Sequence, residues 1–182
     1  VTSQISTTQA PTSSFFGASV LKPGYTEILM EYSEVLFLLS EANGWSQSYY
    51  EQGVRASMEK WNIDSAKINA FVAALPPANK QNVLTQKYVS LFMQPFEAWA
   101  EYRRTGYPNT LLLPGQSAAL NVATASGQTT YTFTSLIADL TDLPTRIYYP
   151  TTVQTLNTDN YKAASTAIGG DKMNTKLIWD KN

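Results

Sequence analysis

The chain has 182 residues, of which 43% are hydrophobic and 12% aromatic, and its formal net charge is −1. That length suits one domain or a large part of one, and the composition is globular rather than disordered. Cysteine and histidine are both absent from the sequence, which excludes the common zinc sites, cysteine nucleophiles and serine–histidine triads. The sequence contains no strongly basic run, which argues against a nucleic-acid-binding surface. No apolar run approaches the ~20 residues of a membrane span.

The opening segment, residues 1–25, is predicted to be irregular and polar. Residues 1–21 carry no charge, and nine of the first 19 are Ser or Thr. Phe15 and Phe16 form its one aromatic pair, and two interpretations of them stay open: the rings insert into the core, or they face a ligand. The chain begins at Val1 and shows no signal peptide. We therefore expect a processed product or a piece of a longer protein.

Residues 26–105 are predicted to form a helical part. From Thr26 to Asn43, apolar residues recur at helical spacing, and the predicted helix is apolar enough to be covered on most sides. A second amphipathic helix runs from a cap at Ser46 to about Trp61. Two helices joined by a Gly-containing turn predict an antiparallel pair of the tetratricopeptide type. The stripe of the first helix consists of Ile28, Leu29, Tyr32, Val35, Leu36, Leu39 and Ala42.

Two further helices are predicted in this part. The shorter one spans about 64–74 and is stopped by consecutive prolines. The longer one spans about 80–105 and contains Pro95, so we expect a kink near Leu91, whose carbonyl loses its backbone partner. Gly106 can take the left-handed conformation that ends a helix.

Residues 106–150 are predicted to be loops with a small β-hairpin, and residues 151–182 a closing helix and tail. Residues 120–124 and 130–134 alternate around a Ser-Gly turn, which indicates the hairpin. Residues 157–167 predict the closing helix, and Trp179 is predicted to anchor the tail. The predicted fold class is therefore mainly α, with tetratricopeptide-like helix pairs, a loop-rich region and a small β-hairpin in a single region, 1–182.

A pair of carboxylates offers the obvious route to an enzyme. Glu97 and Glu101 lie four residues apart on one predicted helical face, so their separation approaches that of a glycosidase pair. Arg104 follows Glu101 by three residues, which favours an ion-paired or solvated face instead. We expect Arg103 and Arg104 to hold acidic groups, with Glu34, Glu41 and Glu101 as the candidates.

Aromatic side chains are the candidates for carbohydrate contact, because the apolar face of a sugar stacks on a ring. Trp61 and Trp99 fall on apolar helical stripes and are predicted to be core, while Trp45 lies at a helix junction and is compatible with either role. Charge-poor segments rich in Ser and Thr contain the residues predicted to contact a ligand, which are Phe15, Phe16 and Tyr131.

A metal site has only a weak basis in the sequence. Asp139, Asp142 and Asp171 can supply the oxygen ligands that Ca²⁺ prefers. Their spacing follows no established metal loop, and ordinary capping and turn roles account for them. No cofactor is expected beyond the option of a structural calcium ion.

Four stretches in chain order carry a family resemblance. Three are MEYSEVLFLLSEA at 30–42, YYEQGVRASMEKW at 49–61, and the run from QKY at 86 to EAWAEYRRTGYP ending at 108. The fourth comprises Pro144-Thr-Arg146, Tyr149-Pro150, Asn157, Asn160-Tyr161, Gly169-Gly-Asp171 and Trp179-Asp180. Together, over about 27–182, they resemble the carboxy-terminal part of the SusD/RagB family, outer-membrane nutrient-binding lipoproteins of Gram-negative bacteria. The front of the chain departs from that family, since a signal peptide, a lipid-attached cysteine and an amino-terminal half are not seen in it.

The resemblance implies a non-enzymatic protein that captures a glycan, or in some members an oligopeptide, at the external face of the outer membrane. It implies a lipid anchor in the full-length protein, absent from this chain, and a SusC-like, TonB-dependent barrel transporter as partner. Three alternatives stay open: a peptide-binding member of the same family, a helical-repeat scaffold that binds only a protein partner, and, weakest, a glycoside hydrolase.

Overall fold

The computed structural model describes residues 16–18, 20–121, 123–124, 126–138 and 140–180. The described residues group into two compact units: a helical unit, Thr26–Thr110, and a loop-rich unit, 16–25 with 111–180. The helical unit contains α1 (Tyr32–Ala42), α2 (Gln47–Lys60), α3 (Ser65–Ala73), α4 (Lys80–Ser90) and α5 (Pro95–Thr105). The loop-rich unit contains β1 (Ser117–Ala119), β2 (Thr130–Thr132), α6 (Thr151–Leu156) and α7 (Thr158–Ala167). The prediction of a mainly α fold with a small hairpin is confirmed. Within the described ranges, every helix is too short or too polar to span a membrane.

Helices α1 and α2 form the predicted antiparallel pair. Gly44 and Trp45 both adopt positive φ, 68° and 67°, and reverse the chain between the helices. Ser40 fixes this turn, because its carbonyl accepts from the backbone N–H groups of Trp45 and Ser46 and its hydroxyl donates to the Ser46 carbonyl at 2.8 Å. The left-handed Trp45 packs against the core.

The predicted start of α1 at Thr26 is wrong, since Glu31 is the N-cap. The expectation that the helix is covered on most sides is also wrong for this chain: Tyr32 is 68% exposed, and Leu38 and Leu39 are each 37% exposed. The physical reason is that α1 packs through a face that differs from the predicted apolar stripe, so that part of the stripe is exposed. The residues that α1 buries are Ser33, Glu34, Leu36, Phe37 and Ser40.

The core of the helical unit lies between the first four helices. Its buried cluster consists of Phe37, Tyr50, Val54, Ile68, Val72 and Val83. Helix α2 approaches α1 closely at Gly53, where an added Cβ would lie 2.9 Å from the Phe37 ring. A glycine at this point therefore sets the spacing of the helix pair.

Residues 80–105 form two helices rather than the single kinked one that the sequence predicted. Helix α4 ends at Ser90, Met93 adopts a φ of 78°, and Pro95 begins α5 at its first position. Proline is favoured there because its missing N–H has no intrahelical partner at that position. Gly106, with φ 73°, ends α5 as predicted.

The first hairpin strand is Ser117–Ala119, so its predicted position at 120–124 is wrong, whereas Thr130–Thr132 falls within the second predicted strand. The two strands pair antiparallel, with Ala118 opposite Tyr131. The shift has a local cause, because the Thr124 N–H donates to the Gln128 carbonyl at 2.9 Å and takes this stretch into the turn.

The closing helix is confirmed as α7, with Asn157 as its N-cap. Helix α6 precedes it and was not predicted, because its six residues bury no side chain and leave no apolar periodicity to detect. Trp179, predicted to be an apolar anchor, is 58% exposed.

Candidate functional site

The charged residues of the helical unit form a network of ion pairs. The Arg104 guanidinium donates to both carboxylate oxygens of Glu41, at 2.8 and 2.6 Å, and to Glu101 at 2.7 Å. Lys87, almost fully buried, reaches Glu101 Oε2 at 2.9 Å. The expectation that Arg104 holds Glu41 and Glu101 is confirmed. Arg103 places its guanidinium 4.1 Å from the centroid of the Trp99 ring.

Two carboxyl groups in this region have pKa values shifted in opposite directions. The hydrogen bond from Arg104 lowers the pKa of Glu41. Desolvation by burial raises the pKa of Glu34, against the opposing charge of Lys87. Glu101 forms ion pairs with Lys87 and Arg104, as the sequence predicted in preference to a glycosidase pair. Glu97, the other carboxylate of that pair, is exposed.

The loop-rich unit is organised around one carboxylate, which we call the Asp171 hub. Asp171 Oδ1 accepts from the Arg146 guanidinium at 2.6 Å and from the Tyr149 backbone N–H at 3.2 Å. Its Oδ2 accepts from the Tyr161 hydroxyl at 3.2 Å and from the Gln154 amide at 3.4 Å. These contacts hold the loop before α6, both closing helices and the Gly-rich turn in one arrangement.

Burial and hydrogen bonding act against each other at the hub. Desolvation pushes the pKa of Asp171 upward, but the hydrogen bonds from Arg146 and the Tyr149 backbone outweigh it and hold the pKa below its usual value. Desolvation and the bond to Asp171 raise the pKa of Tyr161. At neutral pH the hub therefore contains a charged carboxylate and a protonated tyrosine.

Beside the hub lies a cavity of about 190 Å³, which we call the α6–α7 cavity. The rings of Tyr149 and Tyr161 meet there at 90°, with centroids 6.0 Å apart. Asn160 Nδ2 donates to Asn157 Oδ1 at 2.8 Å. The cavity is lined by Tyr149, Val153, Asn157, Asn160, Tyr161 and Ala164, none of which is charged.

Two other cavities carry charge. One in the loop-rich unit, of about 200 Å³, is lined by Lys172 together with Tyr148 and Asn174. One in the helical unit, of about 160 Å³, has the carboxylates of Glu27 and Glu97 in its lining. The α6–α7 cavity differs from both because its lining contains no charged side chain and its accessible surface is apolar.

Two of the three residues predicted to contact a ligand, Phe16 and Tyr131, are described by the structure. Phe15 lies outside the described residues. Phe16 is 54% exposed, and Tyr131 is half-buried on β2. Neither Phe16 nor Tyr131 is in the lining of these three cavities, and their contact with a ligand stays a prediction.

In the sequence, Tyr149, Asn157 and the Asn160-Tyr161 pair stand out only as residues of the family resemblance. A signal for a site was present nonetheless, because Asn157, Asn160, Tyr161 and Ala164 follow the spacing of one helical face. The partner ring of Tyr149 comes from the loop before α6, and only the fold shows that it joins them.

The three aspartates considered for calcium have separate surroundings. Asp139 lies outside the described residues. Asp142 accepts from the Leu143 N–H at 2.6 Å, and Asp171 is the centre of the hub. Across the ranges that the structure describes, no group of three acidic residues is placed to hold a metal ion.

Comparison with known proteins identifies the family. Residues 2–132 match a SusD-like family described as starch-binding and associating with the outer membrane. The chain belongs to the SusD-like family. Two solved structures resemble it: a Bacteroidetes AC2a SusD-like protein, with 31% identity and a TM-score of 0.66 over 85% of this chain, and a chitin-binding protein, with 30% identity and a TM-score of 0.62 over 83%.

This SusD-like chain spans about a third of the length of those two structures, 30% of the first and 33% of the second. No curated protein matches it. The family match ends at residue 132, before the Asp171 hub and the α6–α7 cavity, so the family description does not bear directly on that cavity.

Proposed function

We propose that this SusD-like chain belongs to the ligand-capturing, glycan-binding subunit of an outer-membrane nutrient-uptake complex. The observation that carries the proposal is the family match over residues 2–132, whose description names starch and the outer membrane. A structural relative at 30% identity is a chitin-binding protein. Starch and chitin are both uncharged polysaccharides, which favours a neutral glycan over an oligopeptide as the ligand.

The proposed role is binding without catalysis. Of the two carboxylates at glycosidase-like spacing, Glu101 is held by Lys87 and Arg104. A general acid needs a free approach to the glycosidic oxygen, and the ion pairs with Lys87 and Arg104 already occupy both carboxylate oxygens of Glu101. We therefore expect the chain to bind polysaccharides and leave them intact.

The proposed partner is a SusC-like, TonB-dependent barrel transporter, which would receive the captured glycan. In the full-length protein we propose a lipid anchor and a position at the external face of the outer membrane. This arrangement would place the loop-rich unit, which holds the uncharged aromatic cavity, in the ligand-capturing role.

Affinity electrophoresis of the chain in gels containing amylopectin or glycol chitin tests the proposed function. We expect one of these neutral polysaccharides to retard the chain, while bovine serum albumin in the same gel is not retarded. Phe16→Ala and Tyr131→Ala test the two described residues that the sequence assigned to ligand contact, and reduced retardation would support that assignment. Absence of retardation by either neutral polysaccharide, with binding of a mixed oligopeptide pool instead, would contradict glycan capture.

A second candidate function is a helical-repeat scaffold for a protein partner. It is favoured by apolar side chains that the helical unit leaves exposed, among them Leu29 at 88% and Phe96 at 80%, because exposed apolar surface of this kind marks contact sites. Co-purification with a barrel transporter in the absence of any saccharide binding would support the scaffold over the capture role.

A further inference from the structure

One cavity of the helical unit lies between the segment before α1 and the start of α5, and we call it the Phe96 cavity. It has a volume of about 160 Å³, and Glu27, Leu29, Phe96 and Glu97 are in its lining. Leu29 is 88% exposed and Phe96 is 80% exposed, and most of the accessible surface of the cavity is apolar. Two large apolar side chains therefore border one cavity without being buried.

The charged residues at the Phe96 cavity have one sign. Glu27 and Glu97 are both exposed, and the lining contains no Lys or Arg. Among the residues that the structure describes, neither of these two glutamates takes part in an ion pair, whereas Glu31, Glu41 and Glu101 of the same unit each do. A group that complements this cavity is thus cationic as well as apolar.

The size of the Phe96 cavity limits its occupant to about one side chain. An apolar cavity of about 150 Å³ accommodates benzene, so this cavity is large enough for one leucine or phenylalanine side chain. A separate protein that forms a stable complex buries about 1,000 Å² or more of surface, which is far more than one side chain and one ion pair provide. A segment of the same polypeptide needs less contact, because its tether gives an effective concentration of about a millimolar.

The other sources of an occupant fit the charge of the cavity less well. Residues 1–21 contain no charged side chain, so the opening segment does not supply a cationic side chain. A symmetric contact with a second copy would bring the same carboxylates together, and like charges repel. The two structural relatives extend well beyond the part that matches, since this chain covers 30% and 33% of them. Polypeptide of that extra kind can supply the occupant.

From this geometry we infer that the Phe96 cavity receives one apolar side chain from a segment of the full-length protein that lies outside this chain. A Lys or Arg beside that side chain pairs with the Glu27 and Glu97 carboxylates. The segment covers Leu29 and Phe96, so these two side chains are not available to a separate protein partner. The inference does not rest on glycan capture, and its failure leaves that proposal standing.

Cysteine labelling tests the inference, because the chain contains no cysteine of its own. Leu29→Cys places one thiol at the cavity, and the rate of its reaction with N-ethylmaleimide is measured by mass spectrometry of its peptide. We expect this reaction to be at least about tenfold slower in the full-length protein, purified as a monomer, than in the 182-residue chain, because the segment must open first. Val83→Cys, at a position that is 0% exposed, should react slowly in both, which shows that the helical unit is folded.

Charge reversal tests the basic residue of the segment. In the full-length protein with Leu29→Cys, Glu97→Lys should raise the labelling rate about fivefold, because it places a cation against the proposed Lys or Arg. Glu27→Lys should act in the same direction. Asp159→Lys makes the same change of charge at an exposed position on α7, and it should leave the rate unchanged.

Each contrary outcome overturns a different part of the inference. Equal labelling of Leu29→Cys in the chain and in the full-length monomer overturns the docked segment. A rate in the 182-residue chain that falls as its concentration rises identifies a second copy as the occupant instead. A rate that falls only when a barrel transporter is added identifies a separate partner. Protection that Glu27→Lys and Glu97→Lys leave unchanged overturns the basic residue.

Discussion

The buried hydrophobic residues of the described chain all lie in the helical unit, from Leu36 to Tyr102. In the loop-rich unit, the buried side chains of Arg146 and Asp171 form an ion pair. The first unit is stabilised mainly by apolar packing, which is proportional to buried area and tolerant of detail. The second depends on a charged hub with specific geometry. A loop-rich unit that has little apolar surface to bury can therefore be stabilised by a few directed hydrogen bonds.

We expect the largest loss of stability from a substitution in the apolar core of the helical unit. Phe37 is 1% exposed and contacts α2 at Gly53, so Phe37→Ala removes the centre of the helical core. We expect a loss of about 3–5 kcal/mol in the free energy of unfolding, measured by urea denaturation with far-UV circular dichroism. Val89→Ala, at a position 57% exposed, is the control and should change stability by less than about 0.5 kcal/mol. A loss below about 1 kcal/mol for Phe37→Ala would show that apolar packing does not dominate this unit.

The next largest loss of stability is expected in the loop-rich unit, from a substitution in the Asp171 hub. Asp171→Asn keeps the shape of the side chain but leaves the buried Arg146 guanidinium without its carboxylate, and breaking such a pair costs about 3–5 kcal/mol. We expect hydrogen exchange to accelerate over residues 145–175 while the helical unit keeps its protection. Asp159→Asn, at an exposed position on α7, is the control.

The pH dependence of the hub has a defined sign. The pKa of Asp171 is lower in the folded state than its usual value, so its stabilising contribution is complete above the unfolded pKa of about 3.9. It is lost as the pH falls through the folded pKa.

Equal acceleration of exchange in both units of the Asp171→Asn variant would contradict a separate role for the hub.

The smallest expected effect concerns Glu34, whose charged carboxylate is disfavoured by its burial in the helical unit. Burial raises the pKa of Glu34, so between its unfolded and folded pKa values the folded state binds more protons, and stability rises as the pH falls through that window. Glu34→Gln should therefore raise the free energy of unfolding at pH 7. The gain should fade at acidic pH, where Glu34 itself is protonated, and it is measured by thermal denaturation from pH 4 to pH 8. Glu59→Gln, at an exposed position, is the control, and a destabilised Glu34→Gln variant would show that the charge of Glu34 is instead favourable.

The same contrast explains what could be predicted from the sequence. Helices α2 and α3 were predicted within a few residues, since apolar periodicity and the Asp64 cap are local signals. The start of α1 was predicted too early because Ile28 and Leu29 continue its periodicity without being helical. The division between α4 and α5 was missed because the positive φ of Met93 has no sequence signal of the kind that glycine gives.

Most of the contacts in the loop-rich unit could not be predicted from the sequence. The pairing of Arg104 with Glu41 and Glu101 was foreseen from opposite charges, but the Asp171 hub joins residues from 10 to 25 positions apart. Whether Tyr149 and Tyr161 meet depends on those hydrogen bonds, which no local pattern encodes. The assignment of Phe16 and Tyr131 to ligand contact rests on their polar, charge-poor surroundings and stays a prediction.

Hydrogen exchange followed by mass spectrometry, with and without saturating N-acetylchitohexaose or maltohexaose, tests most directly the claim that one unit provides the scaffold and the other the ligand site. We expect slower exchange in peptides that cover 145–171, including α6 and α7, and unchanged exchange in α1, α2 and α4. Protection confined to the helical unit, with the 145–171 peptides unchanged, would contradict it.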